Sequence, residues 1–298
     1  MTADGSRLDD AALPAWLHDL GVPGIVDVHV HFMPAEVQRK VWDVFDRAEE
    51  VYGTAWPIRY RGTDAERALV LAALGVRAYT ALSYAHRPGM AEWLTRWSLD
   101  FAARTPDCLG SGTFFPERGA AAYVERALAA GVAVFKIHLQ VGGFDPRHRL
   151  LEPVWDQLER SGTPTVVHCG SAPLAGPFTG PRPIEEVLRR HPELRVVVAH
   201  GGMPEWHAFC DLAERYPGVS LDTTMVATDF MRLGWEMPAD VVTRWGEMSD
   251  RILFGSDFPN IPYQYAHQVE ALERLGLGRT WLRAVLWENP VRVLGLGT

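Results

Sequence analysis

The sequence predicts an α/β protein, a single (β/α)8 barrel of the TIM type. Eight short β-branched runs alternate strictly with amphipathic helical stretches. Such alternation builds a parallel sheet covered by helices. His, Lys and Asp also recur at the C-terminal ends of those runs, the end at which barrels gather their reactive groups.

The strands read in order as GIVDVHVH (24–31), VRAYTAL (76–82), LGSGTFF (109–115), VAVFKIH (132–138), PTVVH (164–168), RVVVAH (195–200), VSLDT (219–223) and RILFGSD (251–257). Helical patterns separate them. DAERALVLAALG opens on an Asp cap and closes at Gly75, LEPVWDQLERSG closes at Gly162, and IEEVLRRHP is stopped by Pro192. Residues 1–23 form a polar lead-in and 24–298 the barrel. A doubly wound open sheet competes, but it needs a glycine-rich phosphate loop after its first strand, and HVHFMPAE is not one. One connection is long. Residues 32–63 follow strand 1, where about 2–6 residues are usual. They hold an extra helix, PAEVQRKVWDVFDRAEEVYG, then TAWPIRYRGT, and are read as a lid over the strand ends.

Composition excludes several classes. Apolar residues make up 47% and charged residues 22% of the 298, the profile of a folded globular chain. A net charge of −8 argues against a nucleic-acid partner. No stretch approaches the ~18 apolar residues of a membrane span. The first 22 residues carry four aspartates and do not read as a signal peptide. Cys108, Cys169 and Cys210 form no CxxC pair, which fits a reducing compartment. The expectation is a cytoplasmic enzyme with a small-molecule substrate, no nucleic acid and no membrane partner; a homodimer is admitted but not required.

The first strand poses the chemical question. In an extended strand Asp27, His29 and His31 share one face and Val26, Val28 and Val30 the other. Imidazoles buried beside a carboxylate need something to satisfy them, and a metal ion would. Lys136 and His138 end strand 4, His168 strand 5, His200 strand 6 and Asp257 strand 8. Neutral imidazole and carboxylate suit Zn2+, Fe2+, Mn2+ or Co2+. Three histidines and one aspartate leave room for a water, whose pKa the metal lowers toward ~7. A lone strand-end histidine is ordinarily structural; this ordered set is not. Lys136 stays open between a salt-bridged barrel lysine, a substrate anchor and a carbamylated bridge between two metals. His138 stays open between a ligand, a substrate contact and a filler of the barrel mouth. Cys169 follows His168 and should face away.

The series VDVHVHFMP, FKIHLQ…FDPRHRLLEPVWDQLERSGTPTVVHCG, VVVAHGG, RILFGSDFPN and WENPVRVLGL resembles the amidohydrolase superfamily over roughly residues 24–296. More closely, it resembles the amidohydrolase-related group that includes aminocarboxymuconate semialdehyde decarboxylase and resorcylate decarboxylases. The resemblance implies that His29, His31, His168 and Asp257 bind the metal and that His200 is an acid/base group. It also implies one divalent cation, Zn2+ first and Mn2+, Fe2+ or Co2+ as alternatives, with a second metal on carbamylated Lys136 as the other arrangement.

The expected function is hydrolysis of a small carboxylate-bearing amide, ester or lactone by a metal-activated water. Asp257 and His200 would orient that water and move its proton, and Asp27 would fix a histidine tautomer. Lys136, His138 and Trp56 would contact the substrate. Arg59 or Arg61, with Arg87 as another candidate, would hold its carboxylate. A nonoxidative decarboxylase on the same site is the first alternative, and a catalytically inactive metal-stabilised binding protein the second.

Overall fold

A computed structural model describes residues 8–231 and 234–297. Its strands, in chain order, are β1 (Ile25–Asp27), β2 (Val76–Thr80), β3 (Cys108–Leu109), β4 (Ser111–Gly112), β5 (Val134–His138), β6 (Thr165–His168), β7 (Val196–Val198), β8 (Val219–Asp222) and β9 (Ile252–Leu253). All pairs are parallel and follow chain order, with β1 to β3 in one ladder and β4 to β9 in another. β3 and β4 are one crossing of the barrel broken at Gly110, where a Cβ would stand 2.9 Å from Leu99. The expected eight strands are therefore present, one of them split.

The regular ladder is interrupted at two seams, each bridged by backbone hydrogen bonds. Ala133 N donates to Gly110 O at 3.0 Å. Val28 N donates to Phe254 O at 3.0 Å, and Asp257 N to His29 O at 2.9 Å, joining the last strand to the first. Order and sense are those of a (β/α)8 barrel.

Alternation along the strands sorts the core. Val28, Leu82, Val134, Val166, Val197 and Leu253 form an inner cluster, with Val293 and Leu294 packed against it. Phe135, Ile137, Val167 and Val198 join the larger core under the helices. On β5 this leaves Lys136 and His138 on the inner side with Val134.

The period of two holds along β1 and fails just beyond it. Val26 and Val28 both join inner clusters, while Asp27 accepts from Tyr265 Oη at 2.7 Å and Ser256 N at 3.2 Å. The ladder ends at Asp27 and the chain then turns, so His29 also faces inward. The shared face expected for Asp27, His29 and His31 does not form.

Two other expectations change. The helix Asp64–Ala73 is capped by Thr63, not Asp64, in a capping box with Glu66. Within the lead-in read as polar lies the helix Leu13–Leu20, which buries Leu13, Leu17 and Leu20.

The insertion carries the helices Ala35–Phe45 and Ala48–Tyr52. Its end is pinned to the segment after β9. Trp56 Nε1 donates to Asn260 O at 2.7 Å, Arg59 N to Ile261 O at 3.0 Å and Tyr265 N to Tyr60 Oη at 2.6 Å. Its start is held by Arg67, a buried guanidinium that donates to Gln38 Oε1 at 2.9 Å and lies 4.9 Å over the Phe32 ring. Among the described residues no helix is long and apolar enough to cross a membrane.

Candidate metal centre

Three side chains converge where the β9 segment meets the end of β1. His29, His31 and Asp257 offer one ligand atom each, all within 4.8 Å of one another. His31 Nε2 lies 2.9 Å, and His29 Nε2 3.6 Å, from Asp257 Oδ1. Gly255 makes the approach geometrically feasible: a Cβ there would stand 2.8 Å from His29 Cβ and 2.4 Å from Thr224 Oγ1. Asp257 itself sits in the left-handed region at φ 69°.

Hydrogen bonds on the far side of each ring set its tautomer, because a carbonyl or carboxylate can only accept. His29 Nδ1 donates to Asp222 Oδ2 at 2.8 Å and His31 Nδ1 to Leu82 O at 3.1 Å. In the neutral rings both Nε2 atoms then carry lone pairs, and both face Asp257. Asp222 does more than orient His29. Its Oδ1 accepts from His200 N at 2.7 Å and Thr224 N at 3.1 Å. The residue holding a histidine tautomer is thus Asp222, not Asp27, whose carboxyl contacts the His29 backbone N–H at 3.1 Å and no ring nitrogen.

The other strand-end residues crowd the same floor. Lys136 Nζ lies 3.0 Å from His29 Nε2. The His168 and His138 rings stack at 3.8 Å and 10°, and His168 meets His200 edge-on at 4.8 Å. His168 lies outside the close trio; its Nε2 donates to Ala172 O at 3.0 Å, leaving Nδ1 unprotonated. His200, in the left-handed region at φ 56°, donates from Nδ1 to Thr224 O at 3.2 Å. Cys169 is fully buried in the outer core, away from the trio.

Burial and charge act together on these groups. Burial, with the Lys136 charge beside it, pushes His29 down to about 3. Burial would raise Asp257, but the His31, His29 and His200 side chains around it outweigh burial and bring it to about 2. Asp222 is held below the usual carboxylate range by His29, His200 and Lys136 despite its burial. Burial lowers Lys136 to about 8 and holds His168 and His138 well below an ordinary imidazole.

This donor set fits a divalent cation. Two neutral imidazole lone pairs and a carboxylate oxygen aimed at one another repel unless a cation lies between them. Asp222 and Asp257 against the Lys136 ammonium leave the floor one charge negative. A divalent cation turns it one charge positive, which suits a bound anion or a developing oxyanion.

Above this floor opens a cavity of about 620 Å³. The trio, Lys136, His138, His168 and His200 line its base, and its walls are largely apolar. The insertion supplies one wall through Val37, Val41, Val44, Phe45, Tyr52 and Trp56; Met90, Trp93, Met203, Met225 and Met231 supply others. Tyr84, which carried no strand-end signal, lines it too, 5.0 Å from the His138 ring. Arg59 and Arg61 do not line it. Arg61 turns outward to pair with Asp46 and lies 5.4 Å from the Trp42 ring, and Arg59 is exposed. Tyr60 is likewise withdrawn, donating to Asp10 and packing 4.9 Å from Phe258. Among the described residues, the cations lining the cavity besides Lys136 are Lys40 and Arg87, both exposed.

Comparison with known proteins agrees with this architecture. An uncharacterised TIM-barrel protein from Bordetella bronchiseptica superposes with a TM-score of 0.70 at 21% identity, over 91% of this chain and 98% of that one. The 5-carboxyvanillate decarboxylase of Novosphingobium aromaticivorans, solved with manganese and 4-hydroxy-3-methoxy-5-nitrobenzoic acid, gives 0.62 at 15% over 93% and 97%. A probable 2-pyrone-4,6-dicarboxylic acid hydrolase from Acinetobacter baumannii, solved with citric acid bound, gives 0.62 at 15% over 92% and 100%. These likenesses concern the fold. No curated protein matches the chain by sequence. The amidohydrolase family profile matches residues 26–296, nearly the whole chain and every strand end described above, and the protein belongs to the amidohydrolase family.

Proposed function

We propose that the protein is a metal-dependent hydrolase of an ester, amide or lactone with an apolar body and a carboxylate end. The carrying observation is the convergence of the His29 and His31 lone pairs with Asp257 at the base of a cavity with largely apolar walls. One cation is inferred, because the trio is the one such cluster among the described residues. His168 Nδ1 would be a fourth donor, and Zn2+ suits these ligands first, with Mn2+, Fe2+ or Co2+ next. When bound, the cation supplies Lewis acidity, lowering the pKa of a water and polarising a carbonyl.

The chain's own residues do the rest. His200 has its Nδ1 proton committed to Thr224 O, so its Nε2 is free to take a proton from the attacking water and return it to the leaving group. Asp257 orients that water through its carboxylate. The apolar walls hold the substrate body and exclude bulk water, which strengthens the electrostatics at the floor. Lys40 and Arg87 at the mouth replace Arg59 and Arg61 as anchors for the carboxylate.

The apolar walls also favour decarboxylation on the same site. A carboxylate taken out of water is destabilised, and loss of CO2 relieves that cost. The metal-loaded enzyme, offered aryl and alkyl esters, amides and lactones alongside aromatic carboxylic acids, separates the readings. Acid release by pH-stat from the esters and lactones, or amine release from the amides, reduced about 10²–10⁴-fold in His200→Ala, is the expected result. CO2 release without acid or amine release overturns hydrolysis in favour of the decarboxylase. No turnover of either set identifies a metal-stabilised binding protein.

A further inference from the structure

Five imidazoles gather at the cavity floor, and they are not equivalent. His29, His31 and His168 are buried, whereas His138 and His200 are only half-buried and remain open to the cavity. The two open rings carry opposite hydrogen-bond patterns. His200 donates from Nδ1 to a carbonyl. His138 does the reverse: its Nδ1 accepts from the backbone N–H of Val141 at 3.2 Å. An amide N–H has no lone pair to offer, so Nδ1 of His138 is the unprotonated nitrogen, and the neutral ring carries its hydrogen on Nε2.

The structure assigns to His138 the part of a fixed, neutral hydrogen-bond donor whose Nε2–H binds the oxygen of the substrate's reacting carbonyl. The acceptor Nε2 of His200 handles the proton. This assignment rests on the hydrolase reading above and deepens it.

The same geometry removes the other parts His138 could play. As a metal ligand or base through Nε2 it would need a lone pair there, which places the ring hydrogen on Nδ1 against the Val141 N–H. Through Nδ1 it is already occupied. As an imidazolium it would lose the Val141 bond and set a cation 3.8 Å from the face of His168, near the Lys136 ammonium. The ring has little freedom to escape by rotating. It is stacked on His168 on one side and meets Tyr84 at 5.0 Å, and Val141 belongs to the turn Leu139–Gly142 that directly follows β5. A donor held this rigidly pays no reorganisation cost when charge develops on the carbonyl oxygen.

Two measurements test this, one of which needs no turnover. In histidine-labelled protein, long-range 1H–15N correlation should show a His138 ring protonated at Nε2 and bare at Nδ1, the resonance being identified by its loss in His138→Gln. An Nδ1-protonated ring overturns the assignment even if no substrate is found, and an Nε2-protonated ring supports it whatever the fate of the hydrolase reading. In kinetics, glutamine places an amide N–H near the Nε2 position but offers no basic nitrogen. His138→Gln should keep kcat/KM within about 10-fold of the parent, and His138→Ala should lose about 10²–10³-fold, both with full metal content. Equal losses in the two variants, or loss of metal from both, would refute a donor role.

Discussion

Asp222 is the residue that organises the floor. One carboxylate orients His29 from below, receives the His200 backbone N–H and caps the turn at Thr224. Asp222→Asn keeps the shape but removes the charge that makes His29 a strong ligand. Metal affinity should fall about 10–100-fold, read by competition with a chelating dye, whereas Asp27→Asn should leave it unchanged. Equal losses in both variants would show that Asp222 acts only through folding. The signal for Asp222 was available in VSLDT, where it ends a strand as His168 and Asp257 end theirs. Asp27 attracted that role because a period of two was carried past the end of the ladder. That the HxH pair, His168, His200 and Asp257 gather at one cavity base was legible because strand-end placement depends on topology, which alternation of strands and helices reveals. Tautomers depend on partners such as Leu82 O and Ala172 O, whose carbonyls every residue type possesses, so no sequence pattern marks them.

Among the elements, the insertion is the least predictable from sequence and the most consequential. Its length marked it, and the apolar spacing of Val37, Val41, Val44 and Phe45 is that of a helix with one buried face. Nothing in WPIRYR told which side chains would turn inward. The backbone ties of Arg59 and Tyr60 to the segment after β9 decide it, placing Trp56 in the cavity and both arginines outside. The double variant Arg59→Ala, Arg61→Ala should accordingly keep kcat/KM within about 2-fold, and loss of the exposed Arg61–Asp46 pair should cost no more than about 1 kcal/mol in a denaturant titration. A large rise in KM would mean that the arginines swing in when substrate binds. Trp56→Ala is the contrasting case. It removes a ring that packs 5.2 Å from Phe45 and 4.8 Å from Phe230 and a hydrogen bond to Asn260 O. KM should rise about 10-fold or more with metal content intact, and stability should fall by about 3–5 kcal/mol. Unaltered KM would remove this wall from the binding site.

For the molecule as a whole, the barrel order was readable and its irregularities were not. The strand breaks at Gly110, where a Cβ would stand 2.9 Å from Leu99 on the neighbouring helix, a packing fact that no local propensity contains. The lead-in shows the converse: Leu13, Leu17 and Leu20 have helical spacing, outweighed in a composition-based reading by the aspartates around them. A cation bound to the folded state alone adds stability by mass action. At 100 times its Kd the gain is about 2.7 kcal/mol, so a chelator should lower Tm by roughly 4 °C in a chain of this size. His29→Ala should show no such chelator-dependent drop in calorimetry. An equal drop in that variant would place the stabilising ion elsewhere.

The left-handed backbones of His200 and Asp257 give function and folding opposed interests at two positions. A side chain in that region costs on the order of 1–3 kcal/mol, and glycine would relieve it. Metal-free His200→Gly should therefore melt at or above the parent while losing turnover; a clearly lower melting point would mean that its bond to Thr224 outweighs the strain. A screen that rewards only solubility or heat resistance would drift toward residues that tolerate this backbone, and would erase the chemistry while appearing to improve the protein.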